Sequence, residues 1–269
     1  MAYELIGLDL DGTLTNSDKI IPARTREALI RLMGEGKKVV LVSGRSTEGV
    51  KFLAEELKMD EYDGYIIGFN GGRLMSCRTG DLIEDYRLPM EVTGPIYRMA
   101  LEYPGICLIT YAGDTIIAGM ETNQYVEYES FGSRMPVRVS DDFLKDADHP
   151  LNKLVVCGDP KDVAEIVGRL QNLYPDLLNV FTSDPYYGEI MPKGIDKGGT
   201  LKKLVAHLGL KADQVICCGD SGNDIPMIRY AGLGVAMENA LPEVKEIADY
   251  ITLTNDQEGV LEVVEKFML

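Results

Sequence analysis

Short unbroken apolar runs recur in the first quarter of the chain: Leu5-Ile6-Gly7-Leu8, Val39-Val40-Leu41-Val42 and Tyr65-Ile66-Ile67-Gly68. Runs of this length, bounded by glycine and polar residues, predict strands buried on both faces, because a half-solvated strand would alternate. Between them the period changes. Residues 22–33 open on Pro22 and place Ala28, Leu29 and Leu32 at helical spacing before Gly34 and Gly36, so a helix is predicted there. Val50, Leu53, Ala54 and Leu57 repeat that spacing behind Ser46 and Thr47, two candidate caps. Strand, helix, strand, helix, strand predicts a parallel sheet covered by helices, and such sheets gather ligands beyond the carboxyl ends of their strands.

The same pattern returns near the end. A helix through Leu201, Leu204, Val205 and Leu208 leads into Gln214-Val215-Ile216-Cys217-Cys218, another buried strand. A helix over 225–231, strands over 234–236 and 250–252, and a last helix over 260–267 follow. From about Asp85 to about Met191 the character differs. Pro89, Pro95, Pro104, Pro136 and Pro150 punctuate shorter segments, and 106–111 and 115–119 flank Ala112-Gly113-Asp114 as hairpin strands would. Further strands are predicted at 154–157, 180–181 and 189–191, and a helix from Asp159-Pro160 to Leu170. The expected organisation is an α/β core of residues 1–84 and 192–269, interrupted by an inserted α/β domain of residues 85–191 with crossings near 82–85 and 192–194.

Candidate chemistry sits just after the core strands. The first delivers Asp9-Leu10-Asp11-Gly12-Thr13, the second Ser43-Gly44, the third Asn70, and the strand after the insert Gly219-Asp220-Ser221-Gly222-Asn223-Asp224, while Lys197 precedes that strand's helix. Each alone also fits a plain structural role: an acidic turn, a helix-start serine, a solvated lysine, a polar cap. Together they fall on one edge of the sheet. Two unit charges about 4 Å apart interact by roughly 4 kcal/mol at an effective dielectric near 20, so gathered carboxylates repel strongly. A divalent cation relieves this, and oxygen-only ligands beside a phosphate favour Mg2+, with Lys197 as a second counter-charge. On this reading Asp9 attacks phosphorus, while Asp11, its pKa raised by acidic neighbours, protonates the leaving oxygen and then deprotonates water. Ser43 and nearby backbone N–H groups hold phosphate oxygens, Gly44 allows close approach, and Thr13 does likewise or orients Asp11.

Composition narrows the class. A formal net charge of −16 and a pI near 4.6 argue against a nucleic-acid partner, and any anionic substrate needs local positive charge. No apolar stretch approaches the roughly 18 residues that span a bilayer, and no basic segment followed by an apolar leader opens the chain, so no membrane partner and a cytoplasmic location are expected. Five cysteines without C-x-x-C spacing fit reduced packing thiols. A monomer or weak dimer is expected.

These motifs resemble the haloacid dehalogenase (HAD) superfamily, in particular its Cof-type phosphatases with a type IIB cap. The likeness is carried by Asp9 through Thr13, Ser43-Gly44-Arg45, Lys193-Gly194-Ile195-Asp196-Lys197-Gly198 and Gly219 through Asp224. It extends to Asn70-Gly71, to Gly234-Val235-Ala236-Met237-Glu238-Asn239-Ala240 and to 255–259. The resemblance implies a Rossmann-like parallel-sheet core with an inserted α/β (type C2B) cap. It implies Asp9 as nucleophile, Asp11 as acid/base, and Mg2+ on Asp9, the Asp11 carbonyl and Asp220. Asp224 would hold metal waters, Lys197 would neutralise phosphate, and Asn70, Gly71 and Asn223 would join Thr13, Ser43 and Gly44 around the substrate. Ser43 stands where threonine is frequent in this subgroup, and the hydroxyl is kept. The substrate expected is a small phosphorylated metabolite such as a sugar phosphate. A phosphomutase and a receiver-like phosphoacceptor regulator are the alternatives, separated by release of free phosphate and by rapid turnover. Nine of the fourteen tyrosines lie in the insert, which suits a polyhydroxyl ligand and equally suits packing of the insert's own sheet. Tyr186, Tyr187 and Glu189, just before the return crossing, are the candidate specificity readers.

Overall fold

Strand β1 (Leu5–Leu8) is buried along its whole length, as its unbroken apolar run requires, and pairs in parallel on both sides. In the computed structural model, which describes residues 2–269, the chain continues through α1 (Ala23–Gly34), β2 (Lys38–Val42), α2 (Glu48–Glu56) and β3 (Tyr65–Gly68). It then reverses into β4 (Arg73–Ser76), antiparallel to β3, and β5 (Leu82–Asp85). The next stretch holds α3 (Met90–Ala100), β6 (Cys107–Ala112), β7 (Thr115–Ala118), α4 (Gln124–Ser133), β8 (Val137–Val139) and α5 (Phe143–Asp146). It continues with β9 (Leu154–Cys157), α6 (Pro160–Leu173), β10 (Leu178–Asp184) and β11 (Tyr187–Pro192). The chain ends with α7 (Lys197–His207), β12 (Val215–Gly219), α8 (Ile225–Tyr230), β13 (Leu233–Ala236), α9 (Pro242–Ile247), β14 (Tyr250–Ile251) and α10 (Gly259–Phe267).

Two units result, Met1–Glu84 with Asp196–Leu269, and Asp85–Ile195. The second unit extends past Met191 because β11 runs to Pro192 and the Lys193 N–H donates to the Leu177 carbonyl (3.1 Å). In the first unit the strand order is β14-β13-β12-β1-β2-β3-β4-β5. Order reverses at β1, with β2 on one side and β12 on the other, so its carboxyl end opens at the switch point where parallel sheets bind ligands. Side chains alternate between two cores: Ile6, Leu8 and Ile216 meet Leu29, Leu53 and Val263, whereas Leu5, Val40 and Cys217 meet Leu201, Leu204 and Met227. The central strands β1, β2 and β12 therefore bury both faces, and their apolar runs cannot alternate with polar residues.

The second unit carries a six-stranded sheet, β10-β11-β9-β6-β7-β8, antiparallel except for the β7–β8 pair. Leu108, Val156 and Ile190 face α3 and α6, and Ile109, Val155 and Tyr187 face Val126 of α4. All five cysteines are free thiols, four of them buried as packing residues. No helix among the described residues is long and apolar enough to cross a membrane.

Candidate active site

Asp9 follows β1 directly, its N–H donating to the Cys218 carbonyl (3.1 Å), so the loop begins hydrogen-bonded to β12. Lys197 is the first residue of α7, whose Asp196 cap accepts from the Gly199 N–H (2.7 Å). From there the Lys197 ammonium, only 1% exposed, donates to Asp9 Oδ1 and to Asp224 Oδ1, each at 2.6 Å. Asp224 Oδ2 accepts the Asp220 and Ser221 N–H groups at 3.0 Å each. Asp220 accepts in turn from the hydroxyls of Thr13 and Ser221, also at 3.0 Å. Thus three separate segments, 9–13, the start of α7 and 220–224, meet at the carboxyl end of β1, and every acid in the group has its plane set by a donor.

Asp9, Asp220 and Asp224 bring one carboxylate oxygen each within 4.8 Å of one another. Three carboxylates against the one ammonium of Lys197 leave two negative charges in a largely buried space, and the ligand atoms these acids offer are all oxygens. That charge and donor set fit a divalent cation of the Mg2+ type, and the hydrogen bonds holding each acid supply the outer support that metal ligands need. Asp224 accepts three hydrogen bonds, against two at Asp220 and one at Asp9, so Asp9 and Asp220 keep more lone pairs that could reach a cation. Burial, then the Asp224 carboxylate, push Asp9 well above the usual carboxylate range against the pull of Lys197. Burial and Asp224 also raise Asp220. Burial opposes the Lys197 charge, yet Asp224 and Asp9 outweigh it and raise the lysine's pKa.

Asp11 does not join this group. Its carboxylate takes Arg45 Nε (2.9 Å) and Nη2 (2.6 Å) in a forked pair and Lys19 Nζ at 2.7 Å. Burial alone would raise it, but Arg45 and Lys19 prevail and hold it below its ordinary value. The expectation of a raised Asp11 is therefore wrong: its partners are cations rather than acids. Lys19 lies in a turn without any periodic signal, and Arg45 stands in the second motif without an assigned role.

Ser43 is buried, its hydroxyl accepting the Arg45 N–H (3.1 Å) while its carbonyl accepts the Asn70 N–H (2.9 Å). Asn70 sits in a left-handed turn with Phe69, at φ of 51° and 52°, a conformation costing roughly 1–3 kcal/mol per residue unless the surroundings enforce it. The enforcement is visible: Phe69 N–H donates to Arg45 O (2.8 Å), and Thr200 Oγ1 donates to Gly71 O (2.8 Å). Gly71 has φ +101°, and a Cβ there would lie 2.3 Å from the Asp196 carbonyl, so only glycine fits. Gly44 backs onto the Asn70 amide, 3.2 Å from where its Cβ would be. Asn223 Nδ2 donates to Asn70 Oδ1 (2.9 Å), while Asn223 Oδ1 is buried without a hydrogen-bond partner among the described residues. At Gly12, φ +81°, a Cβ would stand 2.7 Å from Asp220 Oδ2, so that loop too admits glycine alone.

Among the insert candidates, Glu189 is buried and paired with Lys153 (3.1 Å), and the Tyr187 hydroxyl donates to the Tyr125 carbonyl (2.7 Å). Tyr186 is half-buried, stacked on Tyr125 at 5.0 Å between ring centres. These tyrosines pack one another and α4.

The sequence pattern of haloacid dehalogenase-like hydrolases matches residues 6–264. A 5-amino-6-(5-phospho-D-ribitylamino)uracil phosphatase of Bacillus subtilis, YcsE, is 30% identical over 267 residues, covering 99% of this chain and 96% of its own. A haloacid dehalogenase-like hydrolase from Bacteroides thetaiotaomicron superposes with a TM-score of 0.94 at 42% identity, over 98% of this chain and 99% of that one. The subclass IIB sugar phosphatase BT4131 shares the fold, with a TM-score of 0.82 at 22% identity over 98% of each chain. With its acids, lysine and hydroxyls gathered at the end of β1 and this likeness running through both units, the chain belongs to the haloacid dehalogenase-like hydrolases and is a phosphatase of the Cof type.

Proposed function

We propose that the protein hydrolyses small phosphorylated metabolites, sugar phosphates foremost, in a Mg2+-dependent reaction through an aspartyl-phosphate on Asp9. The observation that carries this reading is the buried Lys197 bridging Asp9 and Asp224 beside Asp220. Asp9 attacks phosphorus as the bond to the leaving oxygen breaks, and Asp11 gives that oxygen its proton; water then attacks the phosphoenzyme, loses a proton to Asp11, and frees Asp9 and phosphate. Lys197 and the Ser43 hydroxyl neutralise and orient the phosphate oxygens. A divalent cation on Asp9 and Asp220 would supply the remaining charge compensation. With Arg45 and Lys19 attached, Asp11 is ionised and ready to accept a proton, so the donating step requires it to leave both cations. The polyhydroxyl class draws support from the ribityl substrate named for YcsE and from the sugar phosphatase BT4131.

Mg2+ at about 100 times its Kd should stabilise the fold by about 2.7 kcal/mol. For a chain of this size that is a rise in Tm of several degrees. Asp220→Asn should abolish the shift, and chelation should abolish turnover, restored by adding Mg2+ back. Full activity in chelator, or an equal shift in the variant, would remove the metal assignment.

Substrate preference should reside in the insert. Tyr186→Ala is expected to change relative rates among sugar phosphates about tenfold, the worth of ~1.4 kcal/mol of transition-state contact, while a small aryl phosphate changes much less. A uniform loss across all substrates would show that the insert does not read them.

A further inference from the structure

The turn after β13 reaches back to the loop that carries Asp9 and Asp11. Its backbone is fixed to the fourth motif at both ends, Met237 N–H to Gly219 O (3.1 Å) and Leu241 N–H to Asp220 O (2.9 Å). From the middle of that span the Asn239 amide works in two directions: Nδ2 donates to the Gly12 carbonyl (2.8 Å), and Oδ1 accepts the Asn255 N–H (3.0 Å). Asn255 Nδ2 donates to the Thr15 carbonyl (2.9 Å), and Asp256 accepts the Ser17 N–H (2.8 Å) and hydroxyl (2.7 Å). Two successive C-terminal segments therefore hold Gly12, Thr15 and Ser17.

We infer that Asn239, backed by Asn255, is a positioning residue for phosphoryl transfer, locking the Gly12–Thr13 peptide so that the first and fourth motifs keep one register. The Gly12 carbonyl belongs to the peptide whose N–H is that of Thr13, and Thr13 Oγ1 makes the other link to Asp220, at 3.0 Å. Gly12 has a left-handed φ of +81° and no side chain to restrain it, so the peptide's rotation is limited by its two hydrogen bonds, the Thr13 N–H to Leu10 O (3.2 Å) on one side and the Asn239 amide to Gly12 O (2.8 Å) on the other. Asn239 touches no reacting group and is exposed, which separates its role from that of a core residue. The inference rests on Asp9 being the reacting carboxylate.

Asn239→Ala should lower kcat about tenfold, the kinetic equivalent of one lost orienting hydrogen bond, with KM changed by less than about twofold. Asn239→Asp keeps the acceptor for Asn255 but sets a carboxylate against the Gly12 carbonyl, so it should lose as much. In both variants the backbone amides of Thr13, Leu14 and Thr15, which bond to Leu10 and Asp9 carbonyls, should exchange hydrogen faster while Tm stays near that of the parent. Glu238→Ala, in the same turn, should change none of these. Unaltered kcat in the Asn239 variants, or a loss shared equally by KM and Tm, would overturn the positioning role, as would unaltered exchange. If acid-quench mapping finds no phosphoryl group on Asp9 of the parent, the nucleophile reading fails separately, and exchange still decides whether the tether exists.

Discussion

Asp9→Asn is expected to abolish phosphoenzyme formation and lower kcat by ~10⁴-fold or more, the scale seen when a nucleophile is removed from a site that acts as a unit. The fold should survive. Asparagine has the same shape, Lys197 keeps Asp224 as its partner at 2.6 Å, and the acid cluster loses one of its two uncompensated negative charges. Without Mg2+ the variant should be at least as stable as the parent, since a buried carboxylate pushed upward by its neighbours has been replaced by a neutral amide. That separation makes the kinetic loss chemical. Single-turnover reaction with labelled substrate, acid quench and peptide mapping would place the phosphoryl group, and label on any residue but Asp9 would rule out Asp9 as the nucleophile.

Where burial is two-sided, the sequence could be read directly. β1, β2, β3, β9 and β12 lie within a residue or two of their apolar runs, because nothing polar interrupts a strand packed on both faces. The hairpin β4–β5 carries no such signal: Arg73 and Ser76 end the first strand and the second is only partly buried, so neither offers a run. Helix α4 is silent in the sequence for a related reason. Its apolar residues do not share a face, with Val126 buried and Phe131 77% exposed. Site motifs could be read because each acid follows a strand, but partners could not. Asp11 meets Arg45 and Lys19 only once two loops are folded together, and that meeting reverses the sign expected for its carboxyl. Asn239 and Asn255 likewise lie in stretches that resemble the family, yet their bonds to Gly12 and Thr15 span more than two hundred positions. Spacing along a chain carries no information about such pairs.

Lys197→Met should cost the most in stability of any single change at the site. The side chain is 1% exposed and holds two carboxylates, one completely buried, so its removal leaves Asp9 and Asp224 facing each other across a low-dielectric gap. Breaking a buried pair from one side typically costs about 3–5 kcal/mol. That corresponds to a fall in Tm of roughly 10 °C for a chain of this size. Activity should fall ~10²–10³-fold or further, because the developing charge on phosphate loses its fixed cation. Mg2+ should recover part of the stability, since any positive charge relieves the acids, but little of the activity, since the ion cannot stand where the ammonium stood. Asp224→Asn added to Lys197→Met should recover stability by a different route, removing an acid along with the base. A double-mutant cycle in thermal or chemical unfolding measures this directly, and a coupling energy of about 1 kcal/mol or more between the two positions is expected. If Lys197→Met proved as stable as the parent without Mg2+, or if the two changes were simply additive, the lysine would not be the counter-charge on which this cluster of acids depends.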